Sequence, residues 1–490
     1  MTVRSLRSGI RVSSGFGLNA LTGDEVRALH YATLEVLRDV GIRVESEVAL
    51  EIFHGAGAWV ERIGAYGMVR FPANIIEDCI RWAPSTTVYY GRAPIKDFQV
   101  EPHRVGFSTF GECVQVIDPL TREVRSATKQ DLGRATLMCD ALDEIAVVER
   151  AMGSLDCEAR IQPLHNYQTM VTHTSKHIFL GFNSAENTRK LAEMAAACVG
   201  GWENFKKRPP LTALVCPTSP LALVEMCCDV IIECARLGIG IAPISMVQSG
   251  VTAPATIAGS LVVHNAEVLS AIVLAQLTAR GTPCTYASSS TMMDLRTFQP
   301  SLGAPEYGLM STGLTKLAQY YQLPCWVGGG HSDSKLPDAQ AAYESAQNAT
   351  VAALAGANII YGVGCLESGL TFDFAKLLMD SEQLRELRHI LRGIDISDES
   401  MAVDVIRAVG PGGEFMTQQH TFDNMRGMSQ AQLFDRRKRD AWMKKTGGRD
   451  LTERAYAEAL TILDEHRPYP LIEGSAEVMQ AILDEEQARM

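Results

Sequence analysis

The stretch YYQLPCWVGGGHSDSKLPDAQAAYE, residues 320–344, sets three glycines, a histidine and an aspartate between a short apolar run and a helical pattern. His331 can exchange a proton near neutrality, hydrogen-bond a ligand or bind a metal, and Asp333 two residues later could join it as an HxD pair. Glycines 328 to 330 lack a β-carbon, so they tolerate positive φ and let backbone or ligand come close. An ordinary strand-to-helix turn uses the same residue types. On this stretch alone both readings stay open.

Elsewhere the candidates are scattered. His173 and His177 are four apart, but THTSKH leads straight into a strand pattern, so the two do not share a helical face. Ser288 to Thr291 is a run of hydroxyls with no GxSxG elbow to activate a serine. GFSTFGECVQ lacks GxGxxG spacing, and GxxxxGK[ST] is absent, which excludes the usual dinucleotide and phosphate cradles. The twelve cysteines show no CxxC or Cys/His spacing, and they read as reduced, mostly buried small hydrophobes. No pair of histidines with a carboxylate sits at metal spacing, so no tightly bound metal is expected.

The elements that must position such residues form a regular series. From about residue 105, short β-branched runs alternate eight times with amphipathic stretches: VGFSTF (105–110), IAVVERAM (145–152), HIFLGF (177–182), LTALVC (211–216), GIAPIS (240–245), PCTYASS (283–289), PCWVGG (324–329) and NIIYGV (358–363). This alternation predicts an α/β fold, a (β/α)8 TIM barrel over residues 101–395, in preference to an open doubly wound sheet. Residues 1–100 read as a helical N-terminal extension, and 396–490 as a helical, charged C-terminal one. In a barrel, GGGHSD falls where the seventh strand meets its loop, at the C-terminal mouth where barrel active sites lie. The same geometry brings Phe110, Glu112, Phe182, Asn183, Thr218, Ser219, Met246, Gln248, the 288–290 serines, Asp333 and Glu367 to the rim.

Composition narrows the class. The chain of 490 residues is 46% hydrophobic and 21% charged, as globular enzymes are. Its 45 basic and 57 acidic residues give a net charge of -12 with no basic block, which disfavours nucleic acid as a partner. MTVRSLRSGIRVSSGFG has no apolar h-region, and no apolar run is expected to reach the length of a membrane span. A cytoplasmic protein is expected.

MVQSGVTAPATIAGSLVVHNAEVLSAIVLAQL and GAPEYGLMSTGLTKLAQYYQLPCWVGGGHSDSKLPDAQAAYES, with TSPL at 218–221, LESGLTFDFAKLLMD at 366–380 and QQHTFDNMR at 418–426, resemble the trimethylamine methyltransferase family of corrinoid-dependent methyltransferases over nearly the whole chain. The resemblance implies a (β/α)8 barrel whose mouth presents an N-methyl group to the cobalt of a corrinoid (cobalamin) carried by a separate corrinoid protein. The trimethylamine enzymes use pyrrolysine at that mouth, and this sequence contains no pyrrolysine. That departure points to the branch acting on quaternary amines such as glycine betaine, with a homo-oligomer expected.

A quaternary ammonium cannot donate a hydrogen bond, so its site should offer aromatic faces and nearby anions. On that implication Phe110, Tyr307, Tyr343 and Phe372 are the ring candidates, and Glu112, Glu306 and Glu367 the anions. Arg296 and His331 are best placed for a betaine carboxylate, with His331 and Glu367 positioning the substrate and Asp333 beside them. A barrel lyase or isomerase and a non-catalytic amine-binding barrel are the alternatives.

Overall fold

In the computed structural model, which describes residues 17–101, 104–110 and 112–489, every one of the eight expected strands is present. They are β1 Gly106–Thr109, β2 Val148–Glu149, β3 Ile178–Gly181, β4 Leu211–Val215, β5 Gly240–Ser245, β6 Tyr286–Ser288, β7 Cys325–Gly328 and β8 Ile359–Val363. All pair in parallel, in the order β1-β8-β7-β6-β5-β4-β3-β2. A parallel bridge from Phe107 to Ile145, just ahead of β2, joins the two ends and closes the cylinder. Ser108 Oγ reinforces the closure by donating to the Val147 carbonyl at 3.0 Å. The open sheet is excluded.

One main helix follows each strand: α1 Lys129–Ala141, α2 Gln162–His173, α3 Ala185–Cys198, α4 Glu225–Leu237, α5 Ile257–Thr278, α6 Pro305–Tyr320, α7 Ala339–Ala355 and α8 Phe374–Leu391. Local chemistry sets their ends. Thr128, Ser184, Thr256, Asp338 and Asp373 each accept a first-turn N–H, and Gly238 and Gly356 close α4 and α7 with left-handed backbone. Helix α5 is long and apolar enough to cross a membrane by length and composition, which the sequence reading overlooked. It is mostly buried against its neighbours and carries the buried His264, Asn265 and Glu267, as a core helix does.

Strand alternation fills the barrel. On β8, Ile359 and Tyr361 join an interior cluster with Phe179, Ala242, Ile244 and Trp326, while Ile360 faces the helices. Aromatic rings run up the axis: Tyr89 to Phe179 at 4.9 Å, Phe179 to Trp326 at 4.2 Å, Trp326 to Tyr361 at 5.8 Å and Tyr361 to Phe110 at 5.6 Å. Tyr89 comes from a hairpin, Thr87–Tyr89 with Phe98–Val100, that plugs the end opposite the mouth. The N-terminal portion, expected to be helical, also contains a sheet: Ile42–Val44, Trp59–Ile63 and Tyr66–Arg70, the first of which pairs with Ala222–Leu223 after β4. Helix α9, Leu451–Glu465, lies on α8 and α1, and α10, Ser475–Ala488, lies on α3. The leader reading concerns residues 1–16, outside the described residues.

Candidate functional site at the barrel mouth

The glycine triplet has a packing cause. None of Gly328, Gly329 and Gly330 has positive φ. A β-carbon at Gly328 would collide with Tyr307 Oη, one at Gly329 would lie 2.7 Å from Ile360 Cγ2, and one at Gly330 would lie 2.7 Å from the Val363 nitrogen. The triplet therefore lets β8 and the Tyr307 hydroxyl close on β7, where the sequence suggested room for a ligand. Gly362, at φ +109°, does the same for His331, whose imidazole occupies the space a side chain would need.

His331 is fully buried and sits among rings: Phe110 at 4.8 Å, Tyr361 at 5.1 Å and Tyr307 at 5.6 Å between centroids, each edge to face. Its Nδ1 meets Tyr307 Oη at 3.1 Å, and its Nε2 has no protein partner. Burial, followed by the charge of Lys376, pushes its pKa down to about 3. The ring is neutral at physiological pH, so the expected imidazolium for a substrate carboxylate is not available. Lys376 sets the backbone beneath it, donating to the Gly330 carbonyl at 3.1 Å, Ser345 Oγ at 2.8 Å and Asp380 Oδ2 at 2.6 Å.

The ends of β1 and β2 carry charge. Arg150 follows β2, is buried, and donates through Nη2 to Glu112 Oε1 from the loop after β1, while its Nε has no partner. Cys216, just past β4, is reached by solvent although protein crowds it, and desolvation, then Glu112 and Glu149, push its thiol up to about 12. Tyr361 also feels Glu149 and Cys216, so the aromatic and charged groups lie within electrostatic reach of one another.

The expected residues therefore divide. Phe110, Tyr307 and His331 converge, while Glu112 pairs with Arg150. Phe372 is buried in the core against Phe374 at 5.3 Å, and Tyr343 is 78% exposed on the outer face of α7. Arg296 is solvent-facing and paired with Asp294 at 3.1 Å in the hairpin after β6, so it does not meet His331. Asp333 accepts from Ser301 Oγ at 2.6 Å, Leu302 N at 2.9 Å and Ser368 Oγ at 2.7 Å, clasping the loops after β6, β7 and β8 rather than a metal. Glu367 accepts from Thr371 Oγ1 at 2.5 Å, and Glu306 is half-buried in the first turn of α6. Among the described residues no three His, Cys, Asp or Glu could hold a metal ion together.

Sequence reasoning passed over Glu149, Arg150, Cys216 and Tyr361. The signal was there: VVER puts two charges at the C-terminal end of an apolar barrel strand, the position where function concentrates.

Comparison with known proteins agrees with this architecture. The sequence pattern of the family described as Trimethylamine methyltransferase (MTTB) matches residues 10–490. A trimethylamine methyltransferase MttB of Desulfitobacterium hafniense is 45% identical over 480 residues, 98% of this chain and 96% of that one. A glycine betaine methyltransferase from another strain of that species is 32% identical over 453 residues, covering 92% and 93%. The crystal structure of the Methanosarcina barkeri monomethylamine methyltransferase superposes with a TM-score of 0.51 at 13% identity, covering 92% of this chain and 89% of that one, a likeness of fold.

Proposed function

We propose that this chain, which belongs to the trimethylamine methyltransferase (MTTB) family and is a methyltransferase, moves a methyl group from a betaine-type quaternary amine to a corrinoid held by a separate protein. One observation carries the choice of substrate: the strand ends at the mouth carry both an aromatic cluster and a buried guanidinium. A molecule with a quaternary ammonium at one end and a carboxylate at the other uses both, whereas trimethylamine has no use for Arg150. The sequence supports the same choice, since it contains no pyrrolysine.

The chain's own task is positioning. Phe110, half-buried at the mouth, offers its ring to the ammonium, and the buried Tyr361 stacks beneath it. His331 and Tyr307 back the rings and keep them from collapsing into the cavity. A quaternary nitrogen already carries its positive charge, so it departs as a neutral tertiary amine when the C–N bond breaks and keeps the electron pair; no proton need be supplied. This fits a site whose histidine is neutral and whose one accessible thiol is protonated. The corrinoid, when its protein docks, supplies a two-electron nucleophile for the methyl carbon. This exchange belongs in the cytoplasm, with no metal in the chain itself.

The test is incubation of the purified chain with a reduced corrinoid protein and glycine betaine, proline betaine, carnitine, tetramethylammonium or trimethylamine, followed by the corrinoid visible spectrum and the demethylated product. Turnover of a betaine is expected. Turnover of trimethylamine alone would transfer the activity of the 45% identical relative to this chain instead. Binding of betaines without transfer would favour a non-catalytic barrel.

A further inference from the structure

Glu112 and Arg150 form an ion pair that is unfinished on both sides. Arg150 is 8% exposed, yet it uses only Nη2 toward Glu112 and leaves Nε buried without a partner among the described residues. The Nε–Nη2 edge of a guanidinium is built to hold both oxygens of one carboxylate, and a half-used edge forgoes one charge-assisted hydrogen bond. An unsatisfied buried donor of this kind is costly.

Glu112 is the complementary oddity. Its side chain is 67% exposed, its carboxylate lies over the end of β3, 3.6 Å from where a β-carbon on Gly181 would be, and its backbone holds φ at +125°. A residue with a β-carbon enters that region only against a steric penalty. A strained, solvent-open loop thus delivers a carboxylate to a buried guanidinium and satisfies it by half.

We propose that Glu112 is an internal stand-in for the carboxylate of the substrate, occupying Arg150 until a carboxylate-bearing ligand displaces it and takes the Nε–Nη2 edge in bidentate fashion. This rests on the betaine reading above. Displacement returns Glu112 to water and frees its backbone, both of which favour exchange. It also makes the pair a selectivity device: a ligand lacking a carboxylate must leave Glu112 in place, so it gains nothing from Arg150, and the mouth keeps a paired guanidinium in its absence.

Calorimetry on the full chain without a corrinoid protein separates the possibilities, using glycine betaine and tetramethylammonium as probes. Glu112→Gln removes the competing charge, so glycine betaine should bind about tenfold tighter, and Glu112→Gly, which also relieves the φ, should bind at least as tightly. Arg150→Lys keeps a charge but not the bidentate edge. It should weaken glycine betaine by tenfold or more and abolish the gain from Glu112→Gln when the two are combined. The ratio of glycine betaine to tetramethylammonium affinity should rise in Glu112→Gln and fall in Arg150→Lys, a divergence that damage to folding would not produce. Unchanged or weaker glycine betaine binding in Glu112→Gln, with a wild type that binds it, overturns the stand-in alone. Failure of glycine betaine to bind either form overturns the stand-in and the betaine reading together.

Discussion

At the scale of residues, His331 shows how burial reassigns a side chain. The family resemblance cast it as a charged partner for a betaine carboxylate, whereas enclosure by Phe110, Tyr307 and Tyr361 keeps the imidazole neutral. Its contribution is then shape, since it wedges the rings that the ammonium would touch. His331→Ala should lower methyl transfer from glycine betaine and from tetramethylammonium alike, by tenfold or more, because loosening a positioning wall costs rate whatever the other end of the substrate carries. Steady-state kinetics on both substrates checks this. A loss confined to glycine betaine would restore the carboxylate role.

At the scale of elements, α8 fastens the two strands that form the aromatic side of the mouth. Lys376 holds the Gly330 carbonyl at the end of β7, and its partner Asp380 accepts the Gly364 N–H just past β8 at 2.8 Å. Both side chains are buried, so the pair matters less as net attraction than as a requirement that neither stands alone. Lys376→Met strands a buried carboxylate and should cost about 3 to 5 kcal/mol in chemical denaturation. Replacing both, Lys376→Met with Asp380→Leu, should recover much of that loss while transfer remains impaired, because the Gly330 carbonyl under His331 then keeps only its bond from Ser345. A double variant as unstable as the single one would contradict this account.

At the scale of the whole molecule, three of the buried histidines set the acid limit. His177, His264 and His331 are each pushed down to about 3, in every case chiefly by burial. Folded-state values below the unfolded value of about 6.5 mean that the unfolded chain binds more protons as the pH falls. Their neutral burial is therefore without penalty above about pH 6.5, and stability is lost as pH drops from there toward 3. Each contributes a slope approaching about 1.4 kcal/mol per pH unit, so the three together should make the denaturant midpoint fall steeply between pH 6.5 and 4.5. A flat midpoint over that interval would mean these histidines are charged in the folded state.

The alternation of β-branched runs with amphipathic stretches was enough to define the barrel, because strand and helix periods are local properties of the chain and eight repeats leave little choice of topology. The same pattern placed His331 and Phe110 at the mouth, since a residue at the end of a barrel strand has only one rim to reach. Which rim residues meet was decided only in three dimensions. Glu112 finds Arg150 38 positions away and Tyr307 finds His331 24 positions away, through loops whose course depends on their own packing. Arg296 and Tyr343 turn outward for the same reason: a loop or helix face that can be hydrated equally well in several orientations carries no local signal of which one the neighbours will allow. Even the glycines at 328 to 330 were readable only as permission for a close approach. The tertiary structure determined that what approaches is Tyr307 and β8.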